Sequence, residues 1–249
     1  MTAALPPLTP RAWLRWDVVS RLLDGVPTPT VLEIGCGQGA MGARLARRGR
    51  YLGVEPDAAS GAVAEARVAA AGGSVLPGDH TAVPAGSTYD LVCAFEVLEH
   101  IKDDTAALAD WVGFVRPGGR LLLSVPAFRS RYGPTDEQIG HYRRYDPDEL
   151  GARLGAAGLV DARVTIYGWP LGEVMEAVRN RVDRRRLAAA ERLSLEERTA
   201  ASGRTFQPPN AAVGTAVRLA TIPFRYLQRL RPSAGTGLVA LATTPADLG

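Results

Sequence analysis

The stretch VLEIGCGQG, Val31 to Gly39, is a short apolar run that closes on three glycines spaced two apart. It reads as a buried strand over 31–35 that turns tightly into a helix over 41–48. Glycines at such a turn let the backbone fold back sharply and come close to a ligand. The glycines alone leave two ligands open, because Gly35-x-Gly37-x-x-Ala40 also fits a loose dinucleotide fingerprint. Glu33 separates them. An acid at the strand end, two residues before the first glycine, aims negative charge into the crevice. That charge suits an ammonium and repels a pyrophosphate.

Downstream, strand and helix signals alternate. Strands are expected at 51–55, 74–77, 89–95 and 120–125, with a turn at 117–119. Helices are expected at 58–71, 105–115 and 147–157, the last capped by Asp146 with Pro147 in its first turn. Such alternation with buried strands predicts an α/β fold, a doubly wound, largely parallel sheet with helices on both faces. Glu55 ends the second strand, 20 residues after Gly35, where an acid can take both ribose hydroxyls. Asp79 follows the third strand, within reach of an adenine amino group, and His80 beside it lies on the same side. The implied ligand is a nucleoside that carries an ammonium in place of phosphates.

These pieces resemble the class I S-adenosylmethionine-dependent methyltransferases. The matching segments are VLEIGCGQG, the acidic end of YLGVEPD, PGDH, YDLVCAFEVLEHI and VRPGGRLLLSVP, in order over 31–159. The resemblance implies S-adenosyl-L-methionine as cofactor. It sets Glu33, Gly35, Cys36, Gly37 and Gly39 around the methionine moiety, Glu55 and Pro56 at the ribose, Asp79 and His80 at the adenine side, and Phe95 and Glu96 flanking the site. It also implies a seven-stranded Rossmann-like sheet whose last two strands, expected at 160–167 and 236–242, form an antiparallel pair at one edge. In the family that pair is usually a short hairpin, and here a long helical insertion separates the two. The expected domain is single, with a core at 24–168 and 234–249 and a lid at 169–233. A helix over 11–23, apolar on one side, is expected to cover the cofactor by the same analogy.

Composition bounds the rest. At 46% hydrophobic and 22% charged, the 249 residues are ordinary for a globular chain, so disorder as the main state is excluded. Two cysteines exclude a disulfide scaffold and a Cys-rich zinc site. The N-terminus shows no basic-then-apolar leader, and no apolar run is long enough to span a bilayer. No internal repeats are seen. A cytoplasmic, reduced setting is the expectation, with the inner membrane surface as the place of any peripheral contact.

Glu96, Glu99 and His100 stand at i, i+3 and i+4, on one face if the chain turns helical after the fourth strand. Two carboxylates and an imidazole suit a divalent ion such as Mg, Mn or Zn. His141, in GHYRRY after the fifth strand, returns to the same sheet edge as a fourth ligand. The set resembles that of ubiquinone-biosynthesis O-methyltransferases and small-RNA 2′-O-methyltransferases, which implies Glu96, Glu99, His100 and His141 as metal ligands. A metal-free reading stays open, in which His100 and His141 work as acid and base with Glu96 facing the cofactor. So does a purely structural one. Arg143, Arg144 and Tyr145 either orient a polar acceptor or cap the helix that follows.

Between Arg179 and Arg231 there are twelve arginines and four acids, whereas the whole chain is only +3. Val174, Val178, Val182, Ala189 and Leu193 share one helical face of the insertion. Val213, Val217, Ala220, Phe224, Leu227 and Leu230 follow helical spacing in a second helix, which contains Pro223. A polar link at 202–210 joins the two. Arg218, Arg225 and Arg229 share another face of the second helix. A basic amphipathic helix of this kind lies on an anionic membrane or docks on the protein with its arginines in water. Few stacking aromatics and no recognition module speak against nucleic acid. The expected function is methyl transfer to a small-molecule or lipid-like acceptor, at oxygen before nitrogen or carbon. The alternatives are an NAD-dependent oxidoreductase and a non-catalytic S-adenosylmethionine-binding protein.

Overall fold

The computed structural model of the chain describes residues 5–187 and 211–246. Seven strands form one sheet: β1 (Thr30–Ile34), β2 (Arg50–Glu55), β3 (Ser74–Pro77), β4 (Tyr89–Phe95), β5 (Val115–Pro126), β6 (Val160–Gly168) and β7 (Gly235–Thr243). Their order is β3-β2-β1-β4-β5-β7-β6. The first five are parallel, and β7 runs antiparallel to both β5 and β6. The doubly wound sheet and its antiparallel edge pair are therefore as expected.

Alternation along the strands builds two cores, because successive side chains point to opposite faces. Leu32, Val92, Ala94, Leu121, Leu123 and Ala240 join Trp111, Tyr145 and Leu150 on one face. Val31, Leu91, Cys93, Leu122 and Val239 join Trp13, Leu14, Val18 and Leu45 on the other. The helices on these faces are α1 (Pro10–Leu22), α2 (Gly42–Leu45), α3 (Ala58–Ala69), α4 (Asp104–Val112), α5 (Pro134–Ile139) and α6 (Pro147–Ala156). Two more, α7 (Leu171–Leu187) and α8 (Ala211–Leu227), belong to the insertion between β6 and β7.

Several local expectations change. The helix after the glycine loop is one turn, α2, rather than a run to 48. The expected turn at 117–119 lies within β5, where Gly118 takes a left-handed φ of 68° and the pairing register with β4 shifts. Asp146 sits at the N-cap of α6 without a capping bond; its carboxylate instead accepts from the Arg129 N–H at 3.4 Å. Helix α5 was not expected; Pro134 starts it and Gly140, left-handed at φ 80°, stops it. On α7, Val174, Val178 and Val182 face outward, so the apolar row is not a core face there. Ala189, Leu193 and the link at 202–210 lie outside the described residues.

The basic face of α8 also turns out differently. Arg225 and Arg229 reach Asp17 of α1, at 3.4 and 2.6 Å. Arg218 and Arg225 stack over the Trp13 ring, at 5.7 and 5.8 Å. The cause is a buried carboxylate, for the Asp17 side chain is only 2% exposed and needs counter-charge. That face is tied to the protein at Asp17 and Trp13, although Arg218 and Arg229 keep exposed surface. Of the expected apolar face, Val217 and Phe224 pack against the core, while Val213 and Leu230 are exposed. Among the described residues, no helix is long and apolar enough to cross a membrane.

Candidate functional site

The strand order reverses between β1 and β4, so their carboxyl ends open a crevice at the switch point. The glycine loop follows β1 and the Glu96–His100 segment follows β4. Gly35, Gly37 and Gly39 are all left-handed, at φ 67°, 55° and 73°. A side chain at Gly37 would meet open space, whereas one at Gly39 would strike the Ala64 backbone at 2.9 Å. Gly39 thus serves close packing on α3, and Gly37 leaves a bare backbone facing the crevice.

Glu55 accepts the Gly37 N–H at 2.7 Å and the Asp57 N–H at 3.0 Å, one on each oxygen. Each oxygen keeps a further lone pair, so the ribose role stays open to it. Pro56 beside it is exposed. Cys36 is buried, and burial pushes its thiol up. Asp79 caps the short 3₁₀ turn after β3 and accepts from the Thr81 N–H and hydroxyl. His80 turns to Asp110 of α4, at 3.2 Å. Phe95 is buried beneath the Arg15 guanidinium, 5.7 Å from its ring centre.

Glu33 does not offer a free charge. It is buried, and its Oε2 accepts the Tyr51 hydroxyl at 2.6 Å. Burial pushes its carboxyl up to about 8. The expectation of an open carboxylate at the strand end is corrected accordingly, because β2 sets an aromatic hydroxyl beside it.

The expected helical face of Glu96, Glu99 and His100 does not form. Glu96 is left-handed, with φ 58°, and only a single 3₁₀ turn, Leu98–His100, follows. Glu96 turns instead to Arg11 and Arg15 of α1, at 3.0 and 3.2 Å, and accepts the Ser124 hydroxyl at 3.0 Å. Burial raises its carboxyl, but the charges of Arg11 and then Arg15 outweigh that and hold it at about 2. Glu99, His100 and His141 do converge: one ligand atom from each lies within 4.8 Å of the others. Glu96 is not part of that group.

Glu99 is fully buried and neither of its oxygens receives a hydrogen bond; His141 Nε2 stands 3.7 Å from Oε1. Burial, then the charge of Glu96, pushes its carboxyl well above the usual range. The His100 and His141 rings meet edge to face at 4.6 Å. Burial, then His141, lowers His100 to about 4, so its imidazole is neutral at pH 7.

Asp136, on α5, holds the other side of His141, at 2.7 Å from Nδ1. It also pairs with Arg144 through both oxygens, at 2.8 and 2.9 Å, and Arg144 continues to Glu176 of α7. Burial raises the Asp136 carboxyl, and the bonds from His141 and Arg144 outweigh it, leaving it at about 2. An ionised Asp136 accepts from the Nδ1 side of the ring, and Nε2 faces Glu99 at 3.7 Å. Arg143 reaches Asp104 at 2.8 Å, and Tyr145 is buried with its hydroxyl donating to the same acid. Both therefore brace the fold around α4. Sequence reasoning missed Arg11, Arg15, Tyr51 and Asp136. The only signal for the first two is their four-residue spacing on one helix.

The sequence model of the family described as "Methyltransferase domain" matches residues 9–164, well over half of the chain. An "Uncharacterized methyltransferase" of Mycobacterium sp. (strain JLS) is 35% identical over 115 residues, which is 45% of this chain and 45% of that protein. A "Ubiquinone biosynthesis O-methyltransferase" of Methylobacterium sp. (strain 4-46) is 31% identical over 156 residues, 55% of this chain and 61% of that protein. The matches thus span about half the length of these curated relatives. Among solved structures, the Haemonchus contortus phosphoethanolamine N-methyltransferase 2 in complex with S-adenosyl-L-methionine superposes with a TM-score of 0.58. At 16% identity, over 93% of this chain and 52% of that one, it shares the fold. The nicotinamide alternative loses its support with these matches. By its family match, its sheet order and its glycine loop, the chain belongs to the class I S-adenosylmethionine-dependent methyltransferase family.

Proposed function

We propose that the chain transfers the methyl group of S-adenosylmethionine to a hydroxyl of a small-molecule or lipid-like acceptor. The methyl carbon leaves the sulfonium sulfur and bonds to the acceptor oxygen. The hydroxyl proton goes to a base, and S-adenosylhomocysteine is released. The sulfonium supplies the reactivity, so the protein must align the acceptor and weaken its O–H bond. In this reading Gly35, Gly37 and Gly39 with Cys36 line the methionine moiety. Glu55 and Pro56 meet the ribose, Asp79 and His80 the adenine side, and Phe95 flanks the methyl group. The insertion at 169–233 serves as a lid.

The observation that carries the preference for oxygen is Glu99, a buried carboxyl with no donor, beside two imidazoles. Such a group wants a proton or a cation. One carboxylate and two imidazoles fit a divalent ion, and the nitrogen donors favour Zn or Mn over Mg. Glu99, His100 and His141 would hold it, and it would lower the pKa of an acceptor hydroxyl at neutral pH. Glu96 stays on Arg11 and Arg15 in this assignment. A second reading rests on the Asp136–His141 pair: a neutral His141 that donates from Nδ1 to Asp136 would take the acceptor proton at Nε2.

The test is thermal stability with saturating S-adenosylhomocysteine, with and without Mg, Mn or Zn, for wild type and His141→Ala. A ligand that binds only the folded chain raises the midpoint. A further rise with metal in wild type alone supports the ion, and methyl transfer to catechols or vicinal diols is then assayed first. No metal effect, with turnover lost in His141→Ala, favours the direct base. No response to S-adenosylhomocysteine at all overturns the proposal. Cofactor binding with turnover untouched by His100→Ala and His141→Ala leaves these imidazoles without a catalytic role.

A further inference from the structure

We infer that the outward face of α8 is a docking surface for a lipid membrane bearing anionic headgroups. Leu219, Ile222, Tyr226 and Leu230 follow one another at spacings of three, four and four. Their exposures are 59%, 36%, 62% and 73%. Rows at that spacing share one side of a helix. The opposite side is already used. Gly214 packs on Pro7 so closely that a Cβ there would meet it at 2.4 Å. Thr221 is buried, and Val217 and Phe224 pack into the core. Gln228 donates to the Leu14 carbonyl at 3.2 Å and accepts from the Gly168 N–H at 3.1 Å. Helix α8 and the 3₁₀ turn that follows it (Gln228–Leu230) are therefore anchored by their inner side and present four large apolar side chains to the outside.

Charge identifies the occupant. Residues 211–231 contain arginines at 218, 225, 229 and 231 and no acid. Arg229 stacks on the Tyr226 ring at 4.9 Å, and Arg231 on the Trp169 ring at 5.0 Å. Arginines thus edge the apolar row: Arg225 and Arg229 share the one charge of Asp17, and Arg218, Arg229 and Arg231 keep exposed surface. An apolar strip edged by guanidinium groups matches the boundary between acyl chains and anionic headgroups. A second copy fits worse, because a two-fold contact would bring the same arginines against one another. The inference is independent of the methyl acceptor.

The experiment is co-sedimentation of the full chain with phosphatidylglycerol–phosphatidylcholine vesicles and with phosphatidylcholine vesicles alone. Binding is expected only to the former, and to weaken as salt rises. Leu219→Asp with Leu230→Asp changes two outward side chains and leaves the inner side intact. It should weaken binding about a hundredfold, with unchanged circular dichroism. As a second readout, Tyr226→Trp should be quenched by brominated lipid. Absence of binding to anionic vesicles overturns the inference, as does equal binding by the double variant or an unquenched Trp. So does sedimentation that shows a dimer dissolved by the double variant, which would assign the face to self-association.

Discussion

Glu33 shows how far a residue's chemistry follows from its place in a motif. Its position at the end of β1 was legible, but its partner was not, because Tyr51 lies 18 residues away on the neighbouring strand. Burial pushes the Glu33 carboxyl up to about 8 from about 4.5. The unfolded chain therefore releases this proton first, and stability falls as pH rises through that window. Each unit is worth about 1.4 kcal/mol, so the loss is on the order of a few kcal/mol. Glu33→Gln should flatten the decline, since an amide oxygen still accepts from Tyr51. Urea midpoints between pH 5 and 8 check it, and parallel slopes for the two proteins would refute it. Asp136 carries the opposite sign. Its carboxyl is held at about 2, so its contribution is present above the unfolded value and disappears as pH falls toward 2. Asp136→Asn leaves the buried Arg144 and His141 undercompensated. It should cost about 3 kcal/mol in chemical denaturation at pH 7. A loss below about 1 kcal/mol would mean that Glu176 alone suffices for Arg144.

Elements were legible where periodicity and capping agree, and illegible where long-range charge decides. The strands β1, β2 and β4 announce themselves as apolar runs, as does the second half of β5, and Tyr89–Phe95 is observed as expected. The segment after β4 misled, because a spacing of three and four looks helical while the chain turns left-handed at Glu96. What pulls it there is α1, whose Arg11 and Arg15 arrive from 85 and 81 positions upstream. No local pattern encodes that contact. The same holds for α8, whose arginines read as a membrane or solvent face, while Arg225 and Arg229 close on Asp17. Asp17→Ala strands Arg225, Arg229 and Gln228 at the α1–α8 junction. The two arginine side chains are 27% and 37% exposed, so water screens part of the loss. The expected cost is about 2 kcal/mol. A double-mutant cycle with Arg229→Ala should return about 1 kcal/mol of coupling, and additive losses would show that the contact is not energetically shared.

At the scale of the molecule, the sheet builds the crevice, and helices from distant parts of the chain meet beside it. Helix α1 ends two arginines on Glu96, beside the glycine loop. Helix α8 grips α1 through Asp17 and Trp13, and Gln228 ties that junction to the β6 edge at Gly168. Helices α1 and α8 are therefore joined through one buried junction. A ligand that orders α1 should order α8 as well. Hydrogen exchange reads this directly, since amides of β1, β4 and β5 open only with global unfolding whereas covering helices open locally. Saturation with S-adenosylhomocysteine should slow exchange in α1 and α8 together. In Asp17→Ala the added protection should persist in α1, which still meets Glu96, and vanish from α8. Protection of α1 alone in the wild type would separate the two helices and overturn that coupling. Protection of both in Asp17→Ala would show that the apolar contacts of Val217 and Phe224 suffice to join them.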